Sequence, residues 1–317
     1  MTQPTRIAAT FAALKAQGHM AFMPFVTVGD PDVVTSMDLI RELTSRGVDL
    51  IEVGFPYSDP IADGPVIQAS YTRALSRGLH VNDIFAGIQQ LTTGPDGSKL
   101  PPLVAMVSYA IVFRLGAVTF VQRAKQSGFA GLIIPDLPAD EAEDVAHVIR
   151  ENGLDAIQLV APTTTPERED HIVRTASGFV YCISIAGTTG ARDQLPAELS
   201  GQLKRLRSKT NLPLAVGFGV SKPDQVGTLR GLADGVIVGS AIVRQLERLA
   251  NGSASAADVL RDVGDFAASM VAATNPIEFH QSRGRHLPHF EEFVSTIADD
   301  FNAEVAALDS DAEVFFC

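Results

Sequence analysis

Short apolar runs of strand length recur along the 317-residue chain, each separated from the next by a longer stretch with helical periodicity. A strand that lies parallel to its predecessor needs a long crossover, usually a helix, so this alternation reads as successive βαβ units around a parallel sheet. The candidate strands are Ala21–Val26, Asp49–Val53, Pro102–Val107, Ala130–Ile134, Asp155–Val160, Phe179–Ile183, Pro213–Val216 and Asp234–Val238. Each is too short for a helix and rich in Val, Ile, Leu and Phe. Eight such units close a barrel, and the chain length suits one. The expected fold class is therefore α/β, a (β/α)8 TIM barrel. A doubly wound open sheet shares the alternation, but it usually opens on a Gly-rich dinucleotide fingerprint, and the turn after the first run here is Thr27-Val28-Gly29-Asp30-Pro31.

Four strands are announced by a glycine, Gly47, Gly128, Gly153 and Gly178, which we read as helix C-caps leading into the next strand. Two regions lie outside the eight units. Thr5–Ala16 reads as an amphipathic helix able to plug the bottom of the barrel, giving a catalytic domain over residues 1–275 that ends after a helix Ala256–Ala273. Residues 276–317 form an extension in which Phe290, Phe293, Ile297 and Phe301 follow the spacing of one short helix. Its histidines, His280, His286 and His289, lack zinc-ligand spacing and read as surface residues.

Acidic residues outnumber basic ones, 37 to 25, so nothing electrostatic supports nucleic-acid binding, and an anionic substrate requires a local site that overrides the field. Cys182 and Cys317 are too few and too badly placed for a disulfide framework or a zinc site, which fits a reducing cytoplasm. The first residues lack the order of a signal peptide, and no run reaches the roughly 18 apolar residues of a membrane span. The expected location is cytoplasmic.

In such a barrel the reacting groups come from the C-terminal ends of strands and the loops that follow. Glu52 interrupts the apolar second strand, which then enters the long polar segment Gly54–Pro65. A carboxylate there is either tied into a structural ion pair or open to the mouth with a raised pKa, ready to hold and return a proton. Asp63 precedes Gly64-Pro65, where the plain reading is a turn and a helix cap, although two carboxylates on one strand end and its loop can also share a cavity. At the far end, Gly217-Phe218-Gly219-Val220-Ser221 and Val238-Gly239-Ser240-Ala241 place glycines and a helix start where backbone N–H groups can hold phosphate. Gly187-Thr188-Thr189-Gly190 would then be a lid over the same anion.

Across roughly residues 5–275 these segments resemble the α subunits of tryptophan synthase. Pro24–Pro31 looks like that family's first strand and loop, and Glu52–Gln68 matches its signature almost throughout. Pro135-Asp136-Leu137-Pro138, Thr189-Gly190-Ala191-Arg192 and both phosphate turns are similar as well. The resemblance implies cleavage of indole-3-glycerol phosphate, with Glu52 as acid/base and Asp63 as acceptor of the indole N–H. It further implies substrate binding by Phe25, Tyr181, Thr189, Gly190, Phe218, Gly219, Gly239 and Ser240. No metal or cofactor is implied on this chain. Pyridoxal phosphate is implied only on a β-subunit partner, within an α2β2 heterotetramer.

Ser108 and Ala110 depart from the family's pattern. They stand where a ring near the indole and a polar residue at the subunit contact are expected, which bears on affinity and on communication with β. Other readings are a phosphate-binding barrel isomerase of amino-acid biosynthesis, which would lack the Glu52–Asp63 segment, and a non-catalytic barrel that activates a β subunit, against which both carboxylates count.

Overall fold

The computed structural model describes residues 3–60, 63–138, 141–184, 197–217 and 219–275. The order begins α1 (Arg6–Ala16), β1 (Ala21–Thr27), α2 (Val33–Ser45), β2 (Ile51–Gly54), α3 (Pro65–Ser76), α4 (Val81–Thr93) and β3 (Leu103–Met106). It continues with α5 (Tyr109–Leu115), α6 (Ala117–Ser127), β4 (Gly131–Ile133), α7 (Ala142–Glu151), β5 (Asp155–Val160), α8 (Pro166–Thr175) and β6 (Val180–Ile183). The last elements are α9 (Ala197–Arg207), β7 (Leu214–Gly217), α10 (Pro223–Leu229), β8 (Gly235–Val238), α11 (Ser240–Ala250) and α12 (Ala256–Thr274). The strands pair in parallel in chain order and close between β8 and β1, with Ala21 opposite Gly235 and Pro24 opposite Val238. The fold is the expected TIM barrel.

Strand ends move for physical reasons. Pro102 and Pro213 fall just outside β3 and β7, where each gives only its carbonyl to a neighbouring strand, Pro102 to Ile51 N–H at 3.1 Å and Pro213 to Val180 N–H at 2.8 Å. Asp49 falls outside β2; its carboxylate accepts from the backbone N–H of Phe22 at 2.8 Å. Of the four glycines read as caps, Gly47, Gly128 and Gly153 directly follow helix ends or their caps. Gly178 does not cap, since α8 closes at Ala176; a Cβ there would sit 2.9 Å from Cβ of Asp155.

Strand side chains alternate between two cores, as a two-residue period requires. One core packs strands against the outer helices through residues such as Phe22, Val26, Ile51, Val53 and Ala105. The other fills the barrel with Met23, Phe25, Leu50, Val104, Ile157, Tyr181 and Ile237. α1 closes the bottom of this interior: Ile7, Phe11 and Leu14 are buried, and the Phe11 ring lies 5.6 Å from that of Phe179. Thr5 caps the helix, and Arg6 donates to the carbonyl of Leu100 at 2.9 Å. Among the described residues no helix is long and apolar enough to cross a membrane. Residues 276–317, and with them the expected tail helix, His280, His286, His289 and Cys317, lie outside the described residues.

Candidate active site

Glu52 reaches the barrel interior by strand alternation. Ile51 and Val53 face the helices, so Glu52 faces inward with Leu50, level with Phe25 on β1 and Val104 on β3. It lines a cavity at the C-terminal ends of the strands. Phe25, Met106, Tyr181 and Ile237 supply the strand walls, while Asp63 and Ile67 enter from the segment after β2. Residues 219–221 and 239–241 complete the lining from the ends of β7 and β8.

Glycines make room for the two rings. A Cβ on Gly54 would lie 2.4 Å from the Phe25 ring, and one on Gly217 would lie 2.3 Å from the Tyr181 hydroxyl. Any larger residue at either strand end would displace an aromatic wall of the cavity.

The two carboxyls hold their protons differently. Glu52 is 3% exposed, its Oε1 has no hydrogen-bond partner, and burial followed by the nearby Asp63 charge pushes its pKa up to about 8. Among the described residues no cation pairs with it, so the structural ion pair is not what the geometry provides. Burial also raises Asp63, to about 6; a hydrogen bond from the Tyr57 hydroxyl opposes that rise and the charge of Asp136 adds to it. Asp63 does not cap the following helix, because the N-cap of α3 is Gly64 and receives no side-chain bond. Asp59 stays outside, exposed and bonded to Ser58 at 3.0 Å.

The other side of the cavity can receive an anion. Gly239 is the N-cap of α11, Ser240 its first residue, and the first N–H groups of a helix have no partners within it. A Cβ on Gly239 would meet Phe25 and Ile67 at ordinary contact distance, so this position looks into the cavity. Gly219, at φ +93°, turns the chain beyond β7, and Gln225 fastens that turn by accepting from Ser221 N–H at 2.7 Å and donating to Gly219 carbonyl at 3.3 Å. Phe25, Tyr181, Gly219, Gly239 and Ser240 are thus brought together with Glu52 and Asp63. Thr189, Gly190, the expected lid and Phe218 lie outside the described residues.

Ser108 does not line the cavity. It is buried, caps α5 and donates to Asp136 Oδ2 at 2.6 Å, while Oδ1 accepts from Tyr109 N–H at 2.7 Å. The wall on that side is Met106. Sequence reasoning passed over Met106 and Ile67, although Met106 was within reach: it is two residues beyond inward-facing Val104. Tyr57 and Tyr71, whose rings meet at a 54° tilt with centroids 5.6 Å apart, had no local signal at all. The Cys182 thiol is buried and pushed up to about 12, which leaves it unreactive. Among the described residues no three His, Cys, Asp or Glu groups are placed to hold a metal ion.

A closed parallel barrel with one buried and one half-buried carboxyl and a helix start converging on one cavity at its strand C-termini defines a TIM-barrel enzyme. Comparison with known proteins narrows the class. Residues 11–272 match the model of the tryptophan synthase alpha chain family. The tryptophan synthase alpha chain of Rhodopirellula baltica is 45% identical over 271 residues, covering 84% of this chain and 97% of the relative. That of Thermoanaerobacter sp. is 42% identical over 84% of this chain and 98% of its own length. Among solved structures, the alpha subunit from Legionella pneumophila aligns with a TM-score of 0.77 at 33% identity, over 87% of this chain and all of the other. Tryptophan synthase of Mycobacterium tuberculosis aligns at 0.76 and 33%, over 86% and 99%. The chain belongs to the tryptophan synthase alpha chain family.

Proposed function

We propose that Glu52 and Asp63 carry out the carbon–carbon cleavage of indole-3-glycerol phosphate to indole and D-glyceraldehyde 3-phosphate, the lyase half-reaction of L-tryptophan biosynthesis that comes with this family. The observation that carries the assignment is the shared cavity: one carboxyl protonated at neutral pH, one ionised, and a helix start for phosphate opposite them. Protonated Glu52 delivers its proton to indole C3, which leaves positive charge on the ring nitrogen. The Asp63 carboxylate accepts the N–H and stabilises that charge. Glu52, now a carboxylate, takes the proton of the hydroxyl on the adjacent glycerol carbon. The C–C bond pair returns to the ring as the aldehyde forms, and Glu52 is again protonated. One group makes both transfers, which requires a pKa near the working pH.

Phosphate is held by backbone N–H groups at Gly219 and Gly239 and by Ser240, with Gly190 and Thr189 contributing from the lid. Phe25, Tyr181 and Phe218 flank the substrate. No cofactor enters this cleavage. A β subunit carrying pyridoxal phosphate is the proposed partner, in an α2β2 assembly in the cytoplasm. The similarity to the Mycobacterium tuberculosis tryptophan synthase supports it, as does α5, which presents Phe113 at 72% exposure beside Tyr109. Indole release by Glu52→Gln tests the assignment: the variant should bind substrate and lose nearly all turnover, since an amide cannot relay a proton. Activity at the parent level would refute it.

A further inference from the structure

Asp63 stands at the end of a segment that leaves β2 at Gly54, and a carboxylate placed by loop backbone alone is a poor acceptor for one defined N–H. The structure supplies a mount. The side-chain amide of Gln68, on the second turn of α3, donates to the backbone carbonyl of Asp63 at 2.7 Å and to that of Pro60 at 3.2 Å. A primary amide has two N–H groups, so both donors are used at once. Asp63 N–H in turn donates to Pro60 carbonyl at 3.0 Å, closing the same turn from within. The helix carrying Gln68 is anchored in its own right: Arg73 binds Asp30, 1% exposed beyond β1, through Nε at 2.9 Å and Nη2 at 2.6 Å.

We propose that Gln68 is a positioning residue for the reaction. It ties the turn bearing Asp63 to α3, and through Arg73 and Asp30 to the barrel, so that the carboxylate meets the indole N–H in one place. The proposal rests on the role assigned to Asp63 above. A catalytic group displaced by about 1 Å loses on the order of a hundredfold in rate, so removing this tie should reduce catalysis without unfolding the barrel. Glu52 is carried by β2, outside the segment that the tie fastens.

The test uses Gln68→Met, which keeps the shape without donors, and Gln68→Glu, which turns acceptors toward two carbonyl oxygens. Both should fold and lose kcat/KM by about tenfold or more, with Glu the worse. Substrate affinity measured by calorimetry in the non-reacting Glu52→Gln background separates positioning from general damage. Gln68→Met should weaken binding there, and should have no further effect once Asp63→Asn is also present, because its influence passes through Asp63. Gln68 variants within twofold of the parent, beside a crippled Asp63→Asn, would overturn the mount alone. So would a binding loss that persists without the Asp63 carboxylate. If Asp63→Asn itself left binding and turnover unchanged, the Asp63 assignment would fall and take the proposal with it.

Discussion

The Tyr57 hydroxyl reaches Asp63, whereas Oε1 of Glu52 is buried with no partner. A donor stabilises the ionised form and an unpartnered buried oxygen disfavours it, so the two carboxyls separate, near 6 and near 8. Turnover as assigned needs Asp63 ionised and Glu52 protonated. kcat/KM for indole formation should therefore be bell-shaped, rising through about pH 6 and falling through about pH 8, with both limbs belonging to the pair rather than to either group alone. Tyr57→Phe keeps the tilted ring contact with Tyr71 and removes the donor, so the acid limb should move to higher pH. A rate profile superimposable on the parent's would remove Tyr57 from the account. The neighbouring ionisable groups, Asp136, Tyr71 and Tyr181, are intact in that variant.

Burying Glu52 also works against the fold. A carboxyl whose folded pKa is raised contributes stability fully below its unfolded pKa and loses it as pH rises through the folded value. For Glu52 that window runs from about 4.5 to about 8. Glu52→Gln removes the ionisation, so the variant should match the parent near pH 4.5. By pH 8 it should exceed it by a few kcal/mol, on the order of 1.4 for each pH unit in the window. Melting temperatures at the two pH values test this, and a variant less stable than the parent at pH 8 would mean that Glu52 is compensated by a partner.

At the level of elements, the two loops that build the cavity are fastened in the same manner. α3 and α10 both begin with proline at the first position, and each sends a glutamine from its first or second turn back to the loop it follows, Gln68 to residues 60 and 63, Gln225 to residues 219, 221 and 222. Among the described residues the start of α11 has no such tie, and it is the end assigned to phosphate above. Gly239→Val should therefore fold, since the first added carbon meets only ordinary contacts, while its branches fill the space assigned to phosphate. A KM raised tenfold or more with little change in melting temperature is the expected outcome; unchanged KM would move the phosphate elsewhere.

All eight strands were legible because each is a short, largely apolar run between helical stretches, and a strand buried on both faces can be little else. Their ends were not, because Pro102, Pro213 and Asp49 are excluded by hydrogen-bond geometry that composition does not carry. Glu52 and Asp63 stood out as charges in apolar or glycine-rich surroundings. Gln68 and Tyr57 did not, because a polar residue at a helix start or in a loop takes its meaning from a partner several residues away in space.

For the whole molecule, the barrel is complete before residue 276. β8 pairs with β1, Met20 N–H donates to Thr274 carbonyl at 3.2 Å, and Arg230 binds Ala273 carbonyl at 2.7 Å, so α12 is fastened to its last turn. We expect a chain ending at Asn275 to keep its melting temperature and its indole-forming activity. Loss in the isolated protein would place residues 276–317 in the site, and loss only in a mixture with a β subunit would make them an interface element.

The plug formed by α1 has a consequence for traffic. With Phe11 against Phe179 beneath and side chains packed along the barrel axis above it, the described residues close the cavity toward the bottom of the barrel and leave a doorway at the strand C-termini. Whatever enters to be cleaved and whatever is released must use that doorway in turn. A partner that is to collect a small apolar product before it escapes into water therefore has one rim to seal, and no reason to touch the opposite end of the barrel.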